Sequence, residues 1–314
     1  MHKFLLRRLF MLLISLFLIS IMIFAVMRAI PGDPAQIILG TDATPEALEV
    51  LRERLHLNGP IYVQYAKWMG GVLTGNLGVS VRYEESIGRL IVSRLSVTAP
   101  LAVMAMIFAV SLGIPAAVFS ATHRNRLGDY TVMTLSQIGL AVPAFWLGIL
   151  LMLLFSVKLR WLPAGGFSPW SDGALKSLRS LLLPAFSLGV ICAASIARLG
   201  RSALLNVLGQ DYIRTAYSKG VSGRVVLYKH ALRNAFIPLS TVIGMQFAAL
   251  LAGTIVIESV FYLPGLGRFA FMAIGMRDLP VIQDIVLFIA ALVVMMNFLV
   301  DVSYALLDPR IRLE

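Results

Sequence analysis

Chemistry at a protein site needs a nucleophile with its base, a cluster of metal ligands or a cradle for phosphate, and this chain is poor in all three. Its one cysteine, Cys192, lies inside an apolar run, so no internal disulfide framework and no cysteine-cluster metal site can form. The four histidines, His2, His56, His123 and His230, are scattered, and none falls in an apolar run. "GVSG" at Gly220–Gly223 has the outline of an intramembrane serine-protease motif, but its serine stands in a basic polar segment with no histidine placed to act as base. A Gly-x-x-x-x-Gly-Lys-Ser/Thr loop is absent, so the chain carries nothing to cradle nucleotide phosphates. The expectation is a non-enzyme with no catalytic residue, no metal and no cofactor of its own.

The residues that stand out instead form one polar, basic stretch, "GQDYIRTAYSKGVSGRVVLYKHALRNAFIPL", Gly209 to Leu239, with long apolar runs on both sides. It reads as two short helices. Asp211 is the expected cap of the first, and Tyr212, Ile213, Ala216 and Tyr217 form i, i+4 apolar pairs. Gly220 stands where a left-handed C-terminal cap is wanted, with Val221 as its apolar partner. Ser222 is the expected cap of the second helix, which runs toward Pro238. A short amphipathic helix held by a glycine turn suits docking into another protein's groove. A loop resting on anionic headgroups is the plainer alternative. A DNA-binding helix-turn-helix has the same outline, but a tether to two apolar spans would block its access to a groove.

The flanking runs set the fold class. The 314 residues are 59% hydrophobic and 14% charged, with mean hydropathy +0.85, too apolar to cover a soluble core. A spanning helix needs roughly 20 mainly apolar residues. Six segments meet or approach that length: Leu9–Met27, Thr98–Ala121, Thr131–Val157, Ser180–Ala197, Asn234–Ile257 and one around Val281–Leu306. Asp284 and Asp301 flank the core of the last and, at ~1.5 Å per residue, lie roughly 25 Å apart, near opposite interfaces. The first apolar run is too long for a signal-peptide core and has no cleavage site after it, so it reads as a retained helix.

Charge sets the orientation. With the N-terminus inside, the cytoplasmic segments hold 14 Lys+Arg against 4 acids, and the outer ones 13 against 11, with Asp301 apart. The net charge of +11 is therefore a topology signal, not a nucleic-acid footprint. The outer segment Arg28–Val97 is expected to be structured. Thr44 can cap a helix begun by Pro45, Asn58-Gly59-Pro60 stops it, and Tyr62, Tyr65 and Trp68 suit either a membrane interface or packing in a small cap. Among polar residues in or closing the spans, Gln137, Gln246, Asn297 and Glu258 are candidates to line a pathway. Helix–helix hydrogen bonds, or a local cap for Glu258, are the alternative. Pro115, Pro143 and Pro184 mark expected kinks.

In order along the chain, "RAIPGDP", "LTGNLGVS", "RNRLGDY", "VPAFWLG", "KLRWLPAGG", "GQDYIRTAYSKGV", "HALRNAFIP", "ESVFYLPGLGRF" and "RDLPVIQ" are similar to the dipeptide/oligopeptide/nickel-type permeases of ABC importers. Within the polar stretch, "RTAYSKG" resembles the family's coupling motif, Glu-Ala-Ala then Gly after three residues. It keeps Ala216 and Gly220 and departs at Arg214 and Thr215, in the Tyr-x-Arg-Thr-Ala manner usual for that group.

The resemblance implies an all-α, six-span, type I importer fold in a bacterial inner membrane, with both termini cytoplasmic. It implies a division into a first span with an outer helical segment (1–93), a five-helix core (94–306) and a tail (307–314). It implies partners: a second homologous permease, two ATPase subunits that bind ATP and Mg, and an extracytoplasmic solute-binding protein. Asp211, Tyr212, Arg214, Thr215, Ala216, Lys219, Gly220, Ser222 and Arg224 would then dock on an ATPase, the three cations meeting acidic groups there. Dipeptides, longer peptides, glutathione, nickel chelates and sugars all remain open as the solute. A stand-alone secondary transporter or channel would call for ionisable residues at mid-membrane or inverted repeats around broken helices, and the sequence displays neither.

Overall fold

The computed structural model describes residues 2–29, 32–40, 43–54 and 57–307. The expected tail at 307–314 lies, from position 308 on, outside the described residues. The described residues form helices α1 (His2–Ala29), α2 (Pro34–Leu39), α3 (Pro45–Arg54), α4 (Ile61–Thr74), α5 (Ile87–Thr122), α6 (Leu127–Ala141) and α7 (Ala144–Met152). A π-turn, Leu153–Lys158, ends α7. Then follow α8 (Ala174–Leu208), α9 (Asp211–Ser218), a single turn α10 (Gly223–Val225), α11 (Leu232–Val260), α12 (Leu266–Met276) and α13 (Leu279–Leu307).

Five helices are long and apolar enough to cross a membrane unbroken, and α6 with α7, bent by 98° where they meet, is long and apolar enough to be a sixth if the pair is one span. The third run, expected as Thr131–Val157, is thus two helices. Proline at 143 lacks an N–H and crowds the residue before it, so Val142 is forced out of the helix to φ −82°, ψ 125°. Pro115 and Pro184 lie inside unbroken helices. The second span begins at Ile87, so α5 runs through position 94 without a break.

Packing centres on α5 against α8. Their contact faces carry small residues, Ala105, Ala109, Gly113 and Ala117 on one and Gly189, Ala193, Ala197 and Gly200 on the other. A Cβ at Gly189 would stand 2.7 Å from the Ala105 carbonyl oxygen, and one at Gly113 would stand 2.8 Å from Ile196 Cβ. Backbones this close gain dispersion contact where lipid offers no hydrophobic driving force between helices. Phe261, Leu263 and Ile257 complete this core from the α11–α12 side.

α1 packs on α13 and otherwise shows a lipid-compatible surface, with Leu13, Phe17, Leu18 and Met22 exposed. Its N-terminal end is pinned by Arg8 to Asp301 at 3.0 Å. Its C-terminal half is held by Ser20, whose hydroxyl lies 2.8 Å from that of Tyr65, and by Phe24, which stacks on Trp68. Tyr65 and Trp68 therefore pack against α1, while Tyr62 is exposed. Thr44 caps α3 as expected, accepting the Ala47 N–H at 3.3 Å.

Candidate coupling and translocation site

Helix α9 hangs below the end of α8 and is anchored by one buried residue. Ile213 is 1% exposed and packs with Val226 and Ala231 of the following π-turn (Val226–Ala231), with Leu208 and Val221 around them. Gly220 adopts φ +77°, which only glycine takes without strain. Its N–H donates to Tyr217 O at 2.9 Å and the Val221 N–H donates to Ala216 O at 3.2 Å. That pair of bonds is a Schellman cap, and Val221 supplies its apolar contact.

Two expectations for this stretch need correction. Asp211 is the first helical residue and Gln210 the cap, with no side-chain capping bond, because the Gln210 backbone is the last extended position before the helix. Ser222 stands at the next N-cap position, but its side chain makes no capping bond. The second helix is not separate either: one turn, the π-turn and α11 run on continuously.

With Ile213 turned inward, Asp211, Tyr212, Arg214, Thr215, Lys219, Gly220, Ser222 and Arg224 are all exposed, and Ala216 is half-buried. The Tyr212 hydroxyl accepts from Asn234 Nδ2 at 3.0 Å, tying α9 to α11. Asp211 and Arg214 are 3.9 Å apart and open to solvent, which adds little stability.

Beside α9, Asp129 locks three helices. It is 2% exposed and receives Arg201 Nε and Nη2, each at 2.6 Å, as well as the Ser120 hydroxyl and the Asn125 N–H at 2.9 Å. A bidentate guanidinium and two further donors satisfy a carboxylate that would otherwise be costly to bury. Sequence reasoning missed this cluster; the signal was an acid two residues past "RNRL" and an arginine just beyond an uncharged span.

The opposite end is fixed by two more buried acids. Glu258, wholly buried, accepts the Thr98 hydroxyl at 2.6 Å on one oxygen and the Arg268 N–H at 2.9 Å on the other. Thr98 Oγ1 in turn accepts the Leu266 N–H at 2.8 Å, so two orphan donors at the start of α12 are satisfied together. Gly265 lies so close that any Cβ there would collide with the Glu258 carboxyl group. Asp278, also buried, accepts the Ser80 hydroxyl at 2.5 Å and the Arg82 N–H at 3.2 Å. Outside the spans, hydrogen bonds to Asp33 and then Glu49 raise the pKa of Arg52 above its ordinary value.

The pathway candidates are not gathered by any bond. Gln137 on α6 and Asn297 on α13 are exposed, and Gln246 on α11 is half-buried. None of the three side chains makes a hydrogen bond among the described residues.

Five unbroken apolar spans, the bent α6–α7 pair and a close-packed small-residue core define a multi-spanning membrane protein that carries one short, mostly exposed polar helix, α9, between two of its spans. Residues 113–313 match the family of the binding-protein-dependent transport system inner membrane component, and residues 1–102 match its N-terminal companion family. The chain belongs to that family: it is a permease component of a binding-protein-dependent ABC importer. It is 42% identical to the dipeptide transport system permease protein DppB of Alkalihalophilus pseudofirmus, across 98% of both chains. It is 40% identical to the glutathione transport system permease protein GsiC of Escherichia coli, across 99% of both. Among solved structures it resembles the inward-facing MetNI methionine ABC transporter, with TM-score 0.59 and 19% identity over 70% of this chain and 96% of that one. The architecture is the all-α type I importer fold.

Proposed function

We propose that this subunit forms half of a pathway for di- or oligopeptides, or a related small solute such as glutathione, in a bacterial inner membrane with both termini cytoplasmic. The names of the relatives at 40–44% identity support the solute class. The pairing partner is a second homologous permease, and an extracytoplasmic binding protein delivers the solute. ATP and Mg bind on two separate ATPase subunits, and this chain contributes no covalent chemistry.

The observation that carries the reading is α9: one buried anchor, a Schellman-capped end and an otherwise exposed polar face, joined by the Gly220 turn to the helical stretch that runs on into α11. Closure of the ATPases on nucleotide would push on Asp211–Gly220, and a rigid connection would hand that displacement to the spans. Arg214, Lys219 and Arg224 stand ready for acidic groups of an ATPase cleft. Gln137, Gln246 and Asn297 lack hydrogen-bond partners among the described residues, and unpaired polar groups in a membrane favour a partner helix or water. Glu258 has both oxygens engaged by Thr98 and Arg268, which favours a capping role for it over contact with solute. The test is affinity purification from native membranes followed by uptake in sealed vesicles. Two ATPase chains and a second six-span protein should co-purify, and labelled dipeptide should enter only with binding protein and ATP. Purification alone with ATP-independent uptake would refute it.

A further inference from the structure

A cavity of about 460 Å³ opens at the end of the molecule away from α9, where α1, α4 and the start of α13 meet. Its polar groups are of two kinds, and they are not matched to each other. Asp284 is 4% exposed, yet among the described residues it receives only the Trp68 indole N–H at 2.7 Å. Gln64 donates both amide hydrogens, to Leu57 O at 2.9 Å and Gly59 O at 2.8 Å, which leaves its buried Oε1 with no partner among the described residues. Those two acceptors call for a donor with several N–H bonds. Arg28 and Lys67 also border the cavity and form no ion pair among the described residues; Arg28 lies over the Phe24 ring, 5.2 Å from its centre. Those two cations call for an anion.

We propose that this cavity binds the headgroup of an amine-bearing phospholipid, phosphatidylethanolamine chemistry. The ammonium faces Gln64 Oε1 and Asp284, and the phosphate faces Arg28 and Lys67. The surroundings favour a lipid over a free zwitterion such as a peptide. One wall is the last turn of α1, whose other faces are open to lipid, and Phe24, Met27 and Leu279 give the glycerol end an apolar exit. Trp68 bridges the apolar and polar parts, as aromatic residues do at headgroup depth. A phospholipid seated there would join α1 to α4 and α13 where the protein leaves its own polar groups unpaired. That the leaflet is the outer one rests on the orientation proposed above; the pairing itself does not.

The experiment uses the assembled transporter, purified in mild detergent, stripped of lipid and then offered dioleoyl phosphatidylethanolamine, phosphatidylcholine or phosphatidylglycerol, with bound lipid counted by native mass spectrometry. The wild type should retain one phosphatidylethanolamine per copy of this chain, bound roughly tenfold better than phosphatidylcholine, whose quaternary nitrogen has no N–H to give. Lys67→Gln and Asp284→Asn should each lose it; Lys67 is exposed, so its replacement leaves the fold alone. Lys158→Gln, at an exposed site outside the cavity, should bind as wild type does. Equal retention of all three lipids, unchanged binding in Lys67→Gln, or displacement of the lipid by alanyl-alanine would overturn the proposal. Because the readout is lipid mass, it succeeds or fails independently of which solute the importer carries.

Discussion

Replacing Glu258 by glutamine tests how the end of the permease opposite α9 is held. The substitution keeps size and shape but puts an NH₂ where one carboxylate oxygen stood. Both oxygens now accept, one from Thr98 Oγ1 at 2.6 Å and one from the Arg268 N–H at 2.9 Å. Thr98 is already committed as acceptor to the Leu266 N–H at 2.8 Å, so a donor from either side leaves one hydrogen without a partner. The loss is one charge-assisted bond, ~1.5–3 kcal/mol, with a further ~1 kcal/mol for the buried donor left facing another. A local opening made easier by about 2.5–4 kcal/mol is a roughly 70- to 900-fold loss of hydrogen-exchange protection, at 1.36 kcal/mol per tenfold. Exchange read by mass spectrometry over residues 263–270 should report that loss, with little change in α8. Thr98→Val should produce a comparable loss at Leu266, because it removes the other acceptor. Unchanged protection at Leu266 and Arg268 in both variants would show that the cap reasoning is wrong.

Asp129→Asn should be far more harmful than any change to the exposed Asp211–Arg214 pair. Breaking a buried bidentate pair costs about 3–5 kcal/mol, whereas an exposed pair is worth less than about 1 kcal/mol. Folded yield by fluorescence size-exclusion should therefore fall for Asp129→Asn and hold for Arg214→Gln; equal yields would contradict this. Gly189→Val should also cut folded yield, because even its first side-chain carbon would lie 2.7 Å from Ala105 O, and packing α5 away from α8 costs ~1–3 kcal/mol or more. Full yield from that variant would mean the two backbones are not in such close contact. Gly220→Pro removes a bond donor and forbids φ +77°, so it should abolish ATP-driven uptake while membrane insertion, read by protease protection, stays normal. Wild-type uptake would remove the coupling role from α9.

The spans were legible because a hydrocarbon slab demands length and apolarity, two properties a sequence states openly. The Schellman turn at Gly220 and the cap at Thr44 were legible for a similar reason: each depends on residues within a few positions of one another. The 98° break before Pro143 was legible as a kink but not in its size, since a proline in a span can either bend a helix or end it. The buried acids were harder. Asp278, Glu258 and Asp129 find partners 198, 160 and 72 positions away in Ser80, Thr98 and Arg201, and nothing local announces those pairings. The Asp211 cap failed by a single residue, within the usual uncertainty of helix ends.

The central claim, that α9 is the contact through which ATP-driven force enters the spans, is tested most directly by a photo-crosslinking residue placed at Tyr217, which is 51% exposed on α9. The same residue at Tyr62, on the opposite end and 72% exposed, serves as the reference. In native membranes Tyr217 should cross-link to an ATP-hydrolysing subunit, with a yield that changes when nucleotide is trapped, and Tyr62 should not. Cross-links from Tyr217 to lipid alone, or to the ATPase from both positions equally, would contradict the account.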